Sequence, residues 1–105
     1  MSKLELLKEL KEKLKTIFPS LEQIILFGSQ LKSDKLLKSD IDILLIFNQD
    51  IDWQVERKIL DEIYEIELER DVVFDAKIFS KKLINTSLYQ AMPFVREVLN
   101  NGVEV

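Results

Sequence analysis

Two apolar runs joined by a polar connector constrain this chain more than anything else in it. Residues 22–47 read EQIILFGSQLKSDKLLKSDIDILLIF. The first run, Ile24 to Phe27, closes on Gly28 and Ser29; the second opens at Asp40, Ile41 and Asp42. Short runs apolar on both faces predict strands buried between layers, over 22–27 and 40–47. Such strands need helices packed on them, and the rest of the chain has the periodicity to supply helices.

The polar residues in this stretch are placed for chemistry. Strand side chains alternate, so Asp40 and Asp42 share one face while Ile41, Ile43, Leu45 and Phe47 share the other. Adjacent carboxylates repel, and burial disfavours their charged form. A divalent cation relieves both problems, and magnesium is commonly shared between one or two carboxylates and substrate phosphates. Asp40 alone reads equally as a loop residue after Ser39. Asp42, between two isoleucines, needs a partner because an unpaired buried carboxylate is costly. The chain has only two glycines, and Gly28 stands where a strand must turn sharply. A residue without Cβ also lets backbone N–H groups approach a phosphate. Ser29 adds a hydroxyl donor.

Composition removes whole classes of function. With 105 residues the chain is one domain, 1–105. Hydrophobic residues at 47% and charged residues at 32% suit a folded globular protein rather than a disordered one. There is no cysteine and no histidine, which excludes disulfides, thiolate zinc sites and Ser-His triads. A net charge of −4 argues against nucleic acid as a partner. No apolar stretch approaches the ~20 residues of a membrane span. The charged start, MSKLELLKEL, lacks a secretory core, so a cytoplasmic location is expected.

In chain order, residues 2–17 predict a helix opened by a Ser2–Glu5 capping box, with Leu7, Leu10, Leu14 and Ile17 toward the sheet. Pro19 stops it. A short helix is expected to begin within 29–37, its N-terminus toward a phosphate. Lys32 and Lys38 beside it are candidate phosphate contacts or merely solvated. Residues 48–52 are turn and cap. Residues 53–69 predict a second helix, with a stripe of Val55, Ile59, Ile63 and Ile66 and with Leu60 and Tyr64 beside it. Trp53 is expected to pack at its end. Residues 71–79, DVVFDAKIF, predict a third strand interrupted by Asp75, a residue type depleted from strand interiors. Asp71 and Lys77 share its parity. Ser80 caps a helix reaching Leu88, and Pro93 opens a last helix that Gly102 ends.

Gly28-Ser29, ten residues, then Asp40-Ile41-Asp42 resembles the signature of the polymerase-beta-like nucleotidyltransferase superfamily. The surrounding LFGSQLKSDKLLKSDIDILLIF resembles its minimal nucleotidyltransferase branch, from about Leu21 to the C-terminus. The ending, MPFVREVLNNGVEV, is similar too, and suits a structural role or an oligomer interface. The resemblance implies an α+β fold, a small mixed sheet with helices packed on it. It implies nucleotidyl transfer from ATP or another nucleoside triphosphate with two magnesium ions. Asp40 and Asp42 would hold the metal on the triphosphate, Asp75 would be the third carboxylate and aid deprotonation of the acceptor hydroxyl, and Gly28, Ser29, Gln30 and Lys32 would contact the nucleotide. The branch often acts as the antitoxin of a HEPN-domain ribonuclease toxin, which implies transfer of AMP to a toxin hydroxyl, a tyrosine. Where the family often has a basic residue, Ala, Arg or Lys, and Gly after Gly-Ser, this chain has Gln30, Leu31, Lys32 and Ser33. The change weakens nucleotide contacts more than the metal site. Two other readings compete: an antitoxin that neutralises by binding alone, and an enzyme acting on a small molecule. The second suffers from a chain too short to carry a separate substrate domain.

Overall fold

The computed structural model describes residues 2–28 and 40–105. Ser29, Gln30, Lys32 and Lys38, and the helix expected within 29–37, lie outside the described residues. The elements run α1 (Lys3–Ile17), β1 (Leu21–Phe27), β2 (Ile41–Phe47), α2 (Trp53–Arg70), β3 (Phe74–Ser80), α3 (Lys81–Ile84), α4 (Ser87–Gln90), α5 (Pro93–Asn101) and β4 (Val103–Glu104). The sheet is mixed, in the order β3-β2-β1-β4. β1 is antiparallel to β2 and β4, whereas β2 and β3 run parallel, with α2 as the crossover that a parallel pair requires.

Strand periodicity divides the core into two layers. Ile24 and Leu26 of β1 and Ile41, Ile43, Leu45 and Phe47 of β2 meet α1 and α2. Ile25, Leu44 and Ile46 point to the other face, under Ile84 of α3 and Val95 and Val98 of α5. Both central strands are apolar on both faces because both faces are covered. α1 is capped as its sequence predicts: the Ser2 hydroxyl accepts from the Glu5 N–H at 3.1 Å. Its buried stripe is Leu6, Leu7, Leu10 and Leu14, and Ile17 lies outside it at 45% exposed, one turn beyond the reach of the sheet. Lys13 ties α1 to α2, 2.7 Å from Glu65 and 3.4 Å from Glu62, and Arg70 meets Glu9 at 3.0 Å. Surface pairs of this kind contribute at most ~1 kcal/mol each, so they orient the helices more than they hold them.

Four sequence expectations need correction. β3 begins at Phe74, because Asp71 adopts a left-handed conformation (φ 53°) and caps α2, its N–H donating to the Glu67 carbonyl. That removes Asp71 from the strand face. The single helix after Ser80 is two short ones, since Thr86 caps a new turn by accepting from the Tyr89 N–H. The chain after Gly102 forms a short strand on β1, and Gly102 is needed there for space: a Cβ would collide with Ile25 and the Val98 carbonyl. Trp53 does not pack at its helix end; it is 70% exposed.

The two layers make a stability prediction. Leu45 is wholly buried, so Leu45→Ala should cost ~2–5 kcal/mol in urea unfolding. Leu4→Ala, at a position 55% exposed, should stay within about 0.5 kcal/mol of the parent. Equal effects would contradict the assignment of the core.

Candidate active site

Sheet register sets the site. β2 and β3 pair in parallel with Asp42 opposite Asp75, and neighbours in register project from the same face. That face is the one that carries Leu44, Ile46, α3 and α5. On the other side of β2, Phe27 of β1 is the partner of Asp42. β1 then turns at Gly28, whose φ is +78°, a conformation that L side chains rarely adopt. Gly28 lies so close to Asp42 that an added Cβ would run into its Oδ2. Asp40 precedes the first residue of β2 and is exposed. The carboxylates therefore stand at the strand start, at the rim of the sheet, while the rest of β2 belongs to the core.

The electrostatics agree with this convergence. The Asp42 carboxyl is held above its ordinary range, first by burial, then by the charges of Asp75 and Asp40, with hydrogen bonding to Asp75 adding to them. The Lys77 charge works in the opposite direction. Lys77 Nζ is 3.1 Å from Asp75 Oδ1, two residues along the same face of β3. Among the described residues, three acids and one lysine leave a net negative charge around Asp42.

The oxygen donors of Asp40, Asp42 and Asp75 suit a hard divalent cation, and the strain on Asp42 is what a cation relieves. Among the described residues, no three His, Cys, Asp or Glu side chains are placed so that they could hold a metal ion by themselves. Lys77 occupies one side of Asp75, and magnesium ordinarily completes its shell with substrate phosphates and water. Gly28, Asp40, Asp42 and Asp75 are thus brought together, whereas Ser29, Gln30 and Lys32 lie outside the described residues. Sequence reasoning missed one neighbour. Phe27 meets Phe94 of α5 edge to face, with ring centroids 5.4 Å apart at 79°, and walls the Asp42 side of the rim. No periodicity links Phe27 with Phe94; only the return of α5 onto the sheet does. A separate hollow of about 250 Å³, lined by Asp50, Glu56, Ser80 and apolar neighbours, opens at the opposite end of β3 and does not serve the carboxylates.

The raised Asp42 pKa predicts a pH dependence. The folded chain holds the Asp42 proton more tightly than the unfolded chain does, so this group's stabilisation is complete below the ordinary aspartate range. It is lost as pH rises through the raised folded value. Asp42→Asn removes that loss. In chelator-treated protein, the melting temperature of the variant minus that of the parent should grow more positive from acid to neutral pH. A difference independent of pH would contradict the crowding of Asp42.

Comparison with known proteins gives the family and the fold. The profile of the nucleotidyltransferase domain family matches residues 7–99. Methanocaldococcus jannaschii has two relatives that carry the provisional name protein adenylyltransferase. One is 34% identical, with 100% of both chains aligned; the other is 32% identical over 97% of this chain and 96% of its own. The fold is similar to that of the toxin–antitoxin pair MntA–HpeT, solved as a mutant, with a TM-score of 0.59 at 15% identity over 92% of this chain and 69% of that one. It is similar as well to the complex of a tri-AMPylated Shewanella oneidensis HEPN toxin with its MNT antitoxin, with a TM-score of 0.56 at 20% identity over 96% and 69%. No helix among the described residues is long and apolar enough to cross a membrane. With a family profile spanning most of its length and a full-length relative at 34% identity, the chain belongs to the nucleotidyltransferase domain family.

Proposed function

We propose that this chain is a protein adenylyltransferase that moves AMP from ATP to a hydroxyl of a HEPN-type toxin, and so serves as its antitoxin. The observation that carries the reading is the register of Asp42 with Asp75 on one sheet face, beside the Gly28 turn. The relatives named adenylyltransferase support the AMP group, and the AMPylated toxin in the complex of similar fold supports the acceptor.

In this reading Asp40 and Asp42 would hold the magnesium that binds the triphosphate, and Asp75 would join them on a second ion. Bound magnesium neutralises phosphate oxygens and makes the α-phosphorus easier to attack. Gly28 leaves room for the Asp42 carboxylate against the turn, and Ser29 follows it with a hydroxyl and a backbone N–H for the phosphates. The chain has no histidine, so carboxylates carry the acid–base work, and by the family resemblance Asp75 would help take the proton of the acceptor hydroxyl. The hydroxyl oxygen bonds to the α-phosphorus, the bond to the bridging oxygen breaks, and pyrophosphate leaves with the electron pair. Phe27, the register partner of Asp42, is held by its edge-to-face contact with Phe94. Lys77 neutralises Asp75 until the nucleotide arrives.

A second reading is neutralisation by binding alone. It draws on the Lys77–Asp75 ion pair, which occupies part of the cation's place, and on Gln30, Leu31 and Ser33 standing where the family pattern has other residues.

One experiment separates the two. With a cognate HEPN toxin, magnesium and ATP labelled at the α-phosphate, the parent should label the toxin. Asp42→Asn should lose at least ~100-fold in rate, the scale on which metal-held charge stabilisation operates. No label from the parent with any nucleoside triphosphate would sink the enzymatic reading, and full neutralisation by Asp42→Asn would favour the binding one.

A further inference from the structure

The second helix carries an apolar stripe that the fold does not use. Trp53, Leu60, Tyr64 and Leu68 are 70%, 43%, 51% and 69% exposed. Steps of seven, four and four residues place them on one side of a helix. The stripe is distinct from the buried line of Ile59, Ile63 and Ile66, which meets the sheet. It is distinct as well from the flank that Glu62 and Glu65 bring against Lys13 of α1. Single exposed apolar residues are ordinary, but a tryptophan, a tyrosine and two leucines in one line mark a binding surface.

The order of residues along the stripe says what fits it. Arg57, exposed, lies on it between Trp53 and Leu60. Run the helix antiparallel against a copy of itself about an axis between Leu60 and Asp61. Trp53 then faces Leu68 of the second copy, Arg57 faces its Tyr64, and the two Leu60 side chains adjoin across the axis. Trp53 thus meets an apolar leucine, and Leu60 meets its own copy. The guanidinium meets an aromatic face, a favourable cation–π pair. Every partner recurs on the other side of the axis, as an isologous dimer interface requires. A partner of unrelated sequence would not call for this palindromic order.

We infer that α2 pairs antiparallel with α2 of a second copy of this chain, centred on Leu60 and Asp61. The contact lies with the α1–α2 layer, on the side of the sheet opposite Asp42 and Asp75, so both carboxylate rims stay open in the dimer. The inference is independent of the chemistry proposed for that rim.

Three features of the full chain make the test direct: it has one tryptophan, no cysteine, and the tryptophan is in the stripe. In sedimentation from micromolar to millimolar protein, the parent should pass from monomer to dimer. Trp53 emission should move to shorter wavelength over the same range. Tyr64→Glu should hold the chain monomeric with red emission while keeping its dilute-solution melting temperature. Oxidised Leu60→Cys should form a disulfide-linked dimer whose yield rises with protein concentration. A parent that stays monomeric throughout would overturn the inference. So would a Tyr64→Glu dimer, which places the contact elsewhere. So would a parent whose emission shifts only when a HEPN-type toxin is added, which gives the stripe to that partner.

Discussion

The structure depends on the repulsion that it builds at the start of β2. Parallel pairing sets Asp75 beside Asp42, the chain adds Asp40 two residues upstream, and burial raises the cost of charge on Asp42. A fold spends stability to assemble such a group, because buried carboxylates favour their neutral form or a counter-ion. Lys77 supplies one positive charge from the same face of β3. Among the described residues the remaining negative charge is one that a cation would offset, and the proposed reaction would bring a cation with its nucleotide.

Everything else in the fold keeps that group in place. Two central strands, covered on both faces, form the packed platform at whose end the rim stands. The α2 crossover makes β3 parallel to β2, and only that topology brings the third acid into register from a stretch some thirty residues later in the chain. Gly28 lets β1 turn away while the Asp42 side chain packs against it, where a Cβ would collide. The last helix closes the layer through Phe94 on Phe27, and β4 fastens the chain end to β1.

Much of this was legible in residues whose pattern is local. The buried strands, the Ser2 and Ser80 caps, the Pro93 start and the two long helices all follow from periodicity or from short-range hydrogen bonding. Asp75 was legible because an apolar strand seldom carries a carboxylate in its interior unless a charge or a ligand meets it there. The misses are cases where long-range packing decides. Asp71 reads as strand by parity, yet it ends α2 in a left-handed turn. Val103 and Glu104 carry no strand signal of their own and pair because β1 offers a free edge. Trp53 reads as a packing residue, and the fold leaves it in water. The Phe27–Phe94 contact joins residues that only the finished topology brings together.

If Asp40, Asp42 and Asp75 form the proposed cation site, a bound nucleotide would complete it. Electron paramagnetic resonance of manganese measures this without any acceptor protein. With a non-hydrolysable ATP analogue present, the parent should bind manganese saturably and more tightly than the analogue alone does, and Asp42→Asn should fall to the level of the analogue alone. Equal manganese binding by the parent and Asp42→Asn would contradict the account.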